Sequence, residues 1–118
     1  LERNGIKSNE AQMLSDALKT NSTLLTLDLY GNSIGDNGVQ ALSEALKTNS
    51  TLTTLDLLGW SSDPIGDNGA VLSEALKTNS TLTNLDLGGN SIGYDGAQAL
   101  SEALKTNSTL TTLDLWAI

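Results

Sequence analysis

The heptapeptide Thr23-Leu24-Leu25-Thr26-Leu27-Asp28-Leu29 comes back in near copies as Thr51 to Leu57, Thr81 to Leu87 and Thr109 to Leu115. Its leucines stand at Leu24, Leu27 and Leu29, and the unit runs on to Asn32 and Ile34, giving L-x-x-L-x-L-x-x-N-x-I. The first leucines of successive copies (Leu24, Leu52, Leu82, Leu110) are 28, 30 and 28 positions apart. A period of this size marks an array of stacked supersecondary units. Alternate residues of a strand face opposite sides, so Leu27 and Leu29 are expected inward and Thr26, Asp28 and Tyr30 outward. The same register sends Thr54, Asp56 and Leu58, then Asn84, Asp86 and Gly88, then Thr112, Asp114 and Trp116 to the outward face.

Between these stretches lie helical patterns. Asn9 to Lys19 carries Met13, Leu14, Ala17 and Leu18 at helical spacing, which predicts an amphipathic helix. Its equivalents run from Asn37 to Thr48, Asn68 to Thr78 and Asp95 to Thr106. Gly38, Gly69 and Gly96 near the helix starts are expected to allow close backbone approach or a tight entry from the loop.

With this motif and period the chain resembles the leucine-rich repeat proteins, and within them the ribonuclease-inhibitor-like subfamily, whose units carry a full helix. The resemblance implies an α/β fold: a right-handed leucine-rich repeat solenoid, or horseshoe, of about four repeats. Its parallel sheet lies on the concave face and its helices on the convex face. It also implies that the asparagines after the strands, Asn4, Asn32 and Asn90, form an internal ladder that satisfies backbone groups where the chain leaves the sheet. The second full unit departs from this pattern, with Trp60 where an asparagine is expected. Leu57 to Ile65 spans 8 positions against 5 for Leu29 to Ile34, so an atypical loop is expected over 58–65.

One unit cannot fold alone. Its half-dozen large apolar side chains contribute roughly 1.5 to 3 kcal/mol each when buried. Ordering the backbone of some 28 residues costs about 1 to 2 kcal/mol apiece. Stacking has to complete the burial, so residues 1–118 read as a single array. The chain opens on the last leucine of one strand and stops just after another, which suggests a segment of a longer array. Two alternatives stand beside this: association of the uncapped ends with another copy, or a scaffold engineered or duplicated from near-identical units. The identical Ser-Glu-Ala-Leu-Lys-Thr-Asn-Ser-Thr-Leu-Thr runs beginning at 43, 73 and 101 fit the latter.

Composition narrows the function. Six basic against fourteen acidic residues leave a net charge of −8, which argues against nucleic acid or an anionic membrane as partner. The chain has no cysteine and no histidine, so no metal site and no cofactor is expected, and nucleophilic chemistry loses most of its candidates. No apolar run approaches the roughly 20 residues of a membrane span, and no signal-type segment opens the sequence, so a cytoplasmic location is expected. Asn-Ser-Thr recurs at Asn21, Asn49, Asn79 and Asn107. Each is formally a glycosylation acceptor, but one repeated copy reads better as a helix-to-strand connector of turn-forming residues.

The remaining candidates are partner-binding residues. Tyr30, Trp60, Tyr94 and Trp116 are the chain's four aromatics, all outside the repeat core, at strand exits or in the loops that follow. Tyr30, Leu58, Gly88 and Trp116 share one register. Rigid amphipathic rings dominate many interfaces, so Tyr30, Leu58, Trp60, Tyr94 and Trp116 are candidate anchors for a protein partner. Asp28, Asp56, Asp86 and Asp114 form a second row, spaced by about 4.8 Å, that favours a partner with a basic segment. A solvated row that discourages aggregation explains the aspartates equally well. An open row provides no desolvated pocket to separate carboxylate pKa values, so no enzymatic activity is expected. The resemblance also leaves open a GTPase-activating array that works through Asn32, Asp36 and Asn90.

Overall fold

A computed structural model describes residues 5–57, 69–90 and 92–115. Helices and strands alternate as α1 (Ser8–Thr20), β1 (Thr26–Asp28), α2 (Gly35–Thr48), β2 (Thr54–Asp56), α3 (Gly69–Thr78), β3 (Asn84–Asp86), α4 (Gly93–Leu104) and β4 (Thr112–Asp114). The strands form one parallel sheet in the order β1-β2-β3-β4. Parallel neighbours need a crossover between them, and here each crossover is one helix. The architecture is the leucine-rich repeat solenoid that the period implies.

Register follows the sequence repeat. Leu27 pairs with Leu55, Leu55 with Leu85, and Leu85 with Leu113. The strands are three residues long, and backbone bonds just outside them continue the ladder. Leu29, Leu57 and Leu87 donate their N–H groups to the carbonyls of Asp56, Asp86 and Asp114 at 2.8–2.9 Å. Leu27, Leu29, Leu55, Leu57, Leu85 and Leu87 are all buried, and Leu42, Leu46, Leu72 and Leu76 meet them from the helices.

Helices pack side by side on small residues. Ser15, Ser43 and Ser73 are buried between helices, and each turns its hydroxyl back to the carbonyl four residues earlier at 2.7–2.8 Å. A Cβ on Gly38 would fall 2.8 Å from the Ile34 Cβ and 3.2 Å from the Ala11 Cβ, so the close approach expected at this glycine is real. Two helices begin earlier than their pattern suggests. α2 and α4 start at Gly35 and Gly93, whose φ angles of 63° and 74° turn the chain into the helix directly after the buried Ile34 and Ile92.

The α1 face differs from its expected form. Ala11, Ser15 and Leu18 are its buried residues, whereas Met13 is 70% exposed and Ala17 is exposed too. Ala45, the α2 residue equivalent to Ala17, is fully buried because α2 has a helix on both sides. α1 packs against α2 alone among the described helices, so one flank of its apolar stripe is uncovered. The expected loop over 58–65 lies outside the described residues, together with Leu58, Trp60, Asn4 and Trp116.

Candidate functional site

The outward face of the sheet is built from two rows. Thr26, Thr54, Asn84 and Thr112 make one, and Asp28, Asp56, Asp86 and Asp114 the other, each residue paired in register with its neighbour on the next strand. The four aspartates are partly exposed. Two of them have a local task as well: the Asp28 Oδ1 accepts the Tyr30 N–H at 3.0 Å, and the Asp86 Oδ1 accepts the Gly88 N–H at 2.9 Å. One carboxylate oxygen thus closes the turn at the strand exit.

The described lysines all lie in or beside the helices. No lysine or arginine among the described residues lies on a strand. Lys47, Lys77 and Lys105 sit at the helix C-terminal ends, within 3.1 Å of Glu44, Glu74 and Glu102, and Lys19 is 3.6 Å from Asp16. These exposed i,i+3 pairs add little stability, and Glu10, Asp36 and Asp95 leave the helix side acidic as well. The sheet side carries carboxylates in file, on strands that hold no basic residue.

A shallow depression of about 220 Å³ lies over β2, β3 and β4, lined by Thr54, Asp56, Asn84, Asp86, Thr112 and Asp114. A larger groove, about 450 Å³, runs between α1 and α2 among Gln12, Asp16, Lys19, Asn37, Gln40 and Glu44. Apart from Ala41 its lining is polar side chains on a helix surface, and two of them, Lys19 and Asp16, already pair with each other. Size alone does not make it the functional site. Among the described residues no group of three or more acidic side chains is arranged to hold a metal ion. No described helix is long and apolar enough to cross a membrane.

The two described aromatic candidates, Tyr30 and Tyr94, are not brought together. Tyr30 is partly exposed at the exit of β1. Tyr94 is 81% exposed and belongs to the first turn of α4, not to a loop as its pattern suggested, because the helix already starts at Gly93. Asn32 and Asn90 are buried. The Asn90 Nδ2 donates to the carbonyls of Leu57, Leu87 and Gly88 at 2.7–3.1 Å, and the Asn32 Nδ2 donates to those of Leu29 and Tyr30. The Ile6 N–H in turn donates to the Asn32 Oδ1 at 2.8 Å. Two of the three loop groups on which a GTPase-activating role would draw are therefore spent inside the protein.

A second set of buried asparagines was not legible as such. Asn49 and Asn79, from the Asn-Ser-Thr connectors, are 5% and 6% exposed. The Asn79 Nδ2 donates to the Leu46 and Asn49 carbonyls at 2.9 and 3.5 Å, and its Oδ1 accepts the N–H groups of Thr81 and Leu82. Asn49 repeats this one unit earlier, on Leu18 and Asn21. The available signal was the invariance of the tripeptide across all four units, in contrast to the variable strand exits.

Comparison with known proteins agrees with the geometry. A Leucine Rich repeat family model matches residues 20–43 and 78–101. Among solved structures, the Leiomodin-1 Actin-Binding Site 2 is similar with a TM-score of 0.86 and 26% identity, over 96% of this chain and 65% of that one. The tropomodulin C-terminal domain of Caenorhabditis elegans is similar in fold, with a TM-score of 0.71 at 18% identity over 91% of this chain and 64% of that one. The chain thus spans about 65% of the length of these structures. No curated protein sequence matches it. With the repeat motif, the strand-helix alternation, the single parallel sheet and these matches in agreement, the chain is a leucine-rich repeat protein.

Proposed function

We propose that this array is a protein-recognition module, not an enzyme, and that it meets its partner on the open face of the sheet. The observation that carries this reading is the row Asp28, Asp56, Asp86 and Asp114, in register on four strands that hold no basic residue. Like charges at strand spacing repel, and a cationic partner relieves that repulsion. The partner chemistry that fits is a protein segment rich in lysine or arginine, with Tyr30 at the rim as an aromatic contact and Leu58, Trp60, Tyr94 and Trp116 as further candidate anchors. The likeness to Leiomodin-1 Actin-Binding Site 2 supports a protein partner in general and makes actin the first to try. A cytoplasmic location belongs to the same reading.

The aspartates allow a clean test. Asparagine keeps the Oδ1 that closes the strand-exit turn at Asp28 and Asp86 and removes the charge, so the Asp28→Asn/Asp86→Asn double variant is expected to fold as the parent does. Its affinity for a basic peptide, or for actin filaments in co-sedimentation, should fall about tenfold at low salt, equivalent to roughly 1.4 kcal/mol. The difference should shrink as salt shortens the Debye length. Equal affinities at low salt would move the interface away from this face.

A further inference from the structure

The three Asn-Ser-Thr tripeptides at Asn49, Asn79 and Asn107 match the acceptor pattern for N-linked glycans, yet the structure uses their side-chain amides as internal fasteners. In each, the Nδ2 points at two backbone carbonyls of the preceding unit. For Asn49 these are Leu18 and Asn21 at 2.9 and 3.3 Å, for Asn79 Leu46 and Asn49 at 2.9 and 3.5 Å, and for Asn107 Leu76 and Asn79 at 2.8 and 3.3 Å. The amide cannot turn over to free its nitrogen. Each Oδ1 accepts two backbone N–H groups, and reversal would set donors against donors and carbonyl against carbonyls. The third residue of the pattern is also engaged: Thr51, Thr81 and Thr109 donate their hydroxyls to the Leu24, Leu52 and Leu82 carbonyls at 3.1–3.2 Å.

Transfer of a glycan forms a bond between Nδ2 and the anomeric carbon of a polyprenyl-pyrophosphate-linked oligosaccharide. The bond from that carbon to pyrophosphate breaks, the pyrophosphate leaves with the electron pair, and Nδ2 gives up one proton. A pyranose ring then stands where a hydrogen had pointed at a carbonyl oxygen, and at least one buried carbonyl loses its donor. Neither position on Nδ2 is open, because both hydrogens face backbone of the preceding unit. We infer that Asn49, Asn79 and Asn107 are closed to N-linked glycans in the folded array, so that this chain folds only where such acceptors are not glycosylated. Asn21 differs, since it is exposed in this chain. The inference concerns stacking and does not depend on the partner proposed above.

The test translates the 118-residue chain behind a cleavable secretory leader in a cell-free system with endoplasmic-reticulum membranes. In one variant Thr23→Val, Thr51→Val and Thr109→Val leave Asn79 as the single acceptor; in a control, Thr51→Val, Thr81→Val and Thr109→Val leave Asn21. Glycosylated and unmodified forms of each variant separate on a gel and are compared by limited proteolysis. The glycosylated Asn79 form is expected to be cut at least tenfold faster than its unmodified sibling, whereas the two Asn21 forms are cut alike. An Asn79 that takes no glycan while Asn21 does also supports a closed amide. Equal resistance of the two Asn79 forms overturns the inference. Should the substitutions themselves unfold the unmodified form, the unsubstituted chain is compared with and without an acceptor tripeptide that blocks transfer, and equal resistance there overturns the inference as well.

Discussion

Asn79 holds four backbone groups with one side chain, two carbonyls of the unit before it and two N–H groups of its own turn. Its counterpart Asn21 is exposed, and its Oδ1 serves the N–H groups of Thr23 and Leu24, which water can also reach. Removing a buried partner costs about 1–3 kcal/mol for each group left unsatisfied, and far less where solvent can substitute. Asn79→Ala is therefore expected to lower the urea midpoint clearly and Asn21→Ala to shift it slightly; equal shifts would mean that the buried bonds contribute nothing beyond the exposed ones. The sequence identified Asn49, Asn79 and Asn107 as turn formers and nothing more. The reason is physical: their principal acceptors lie 28 to 33 positions earlier in the chain, and no local pattern records a contact across that distance. Strand alternation turns the aspartates outward, but it does not encode the use of one oxygen by Asp28 and Asp86 to close the turn at the strand exit.

At the level of strands and helices, position along the array governs how much a residue contributes. Leu85 is buried at 1% exposure between strands on both sides, while Leu113 on β4 is half-buried. Leu85→Ala is expected to cost about 2–5 kcal/mol, the range for truncating a closely packed leucine, and Leu113→Ala distinctly less. Thermal or urea unfolding of the two variants checks the order. The strands were easy to read because their leucines fall at fixed places in every unit. The face of α1 was harder. Periodicity places Met13 and Ala17 on the apolar stripe, but a stripe is buried only where a neighbour covers it, and periodicity does not count neighbours. The two-residue advance of α2 and α4 likewise depends on the left-handed conformation of Gly35 and Gly93, which an isolated glycine in the sequence does not declare.

At the scale of the molecule, each described helix packs against the next in sequence order, α1 with α2, α2 with α3 and α3 with α4, and the strands pair likewise. Such a chain is stabilised by nearest-neighbour interfaces, and its surface inherits the repeat of its sequence. That inheritance made the fold readable at once and the partner hardly at all. The repeated residues build the core, whereas the residues free to vary, Tyr30 and Tyr94 among those described, are separated by two units and converge on no common pocket.

The constant pitch of the sheet has a geometric consequence for any ligand lying across it. Carboxylates recur about every 4.8 Å along the row. An extended peptide presents same-side side chains about every 6.6–6.8 Å and falls out of phase by roughly 5–6 Å over four strands, more than one whole strand. One face of an α-helix advances about 5.4 Å per turn and drifts by roughly 2 Å over the same distance. A lysine placed once per helical turn therefore keeps step with the aspartates, and circular dichroism of such a peptide should gain helicity when the array is added, with no gain counting against this geometry. The sheet acts as a vernier that grades ligands by their axial repeat before any side chain is compared.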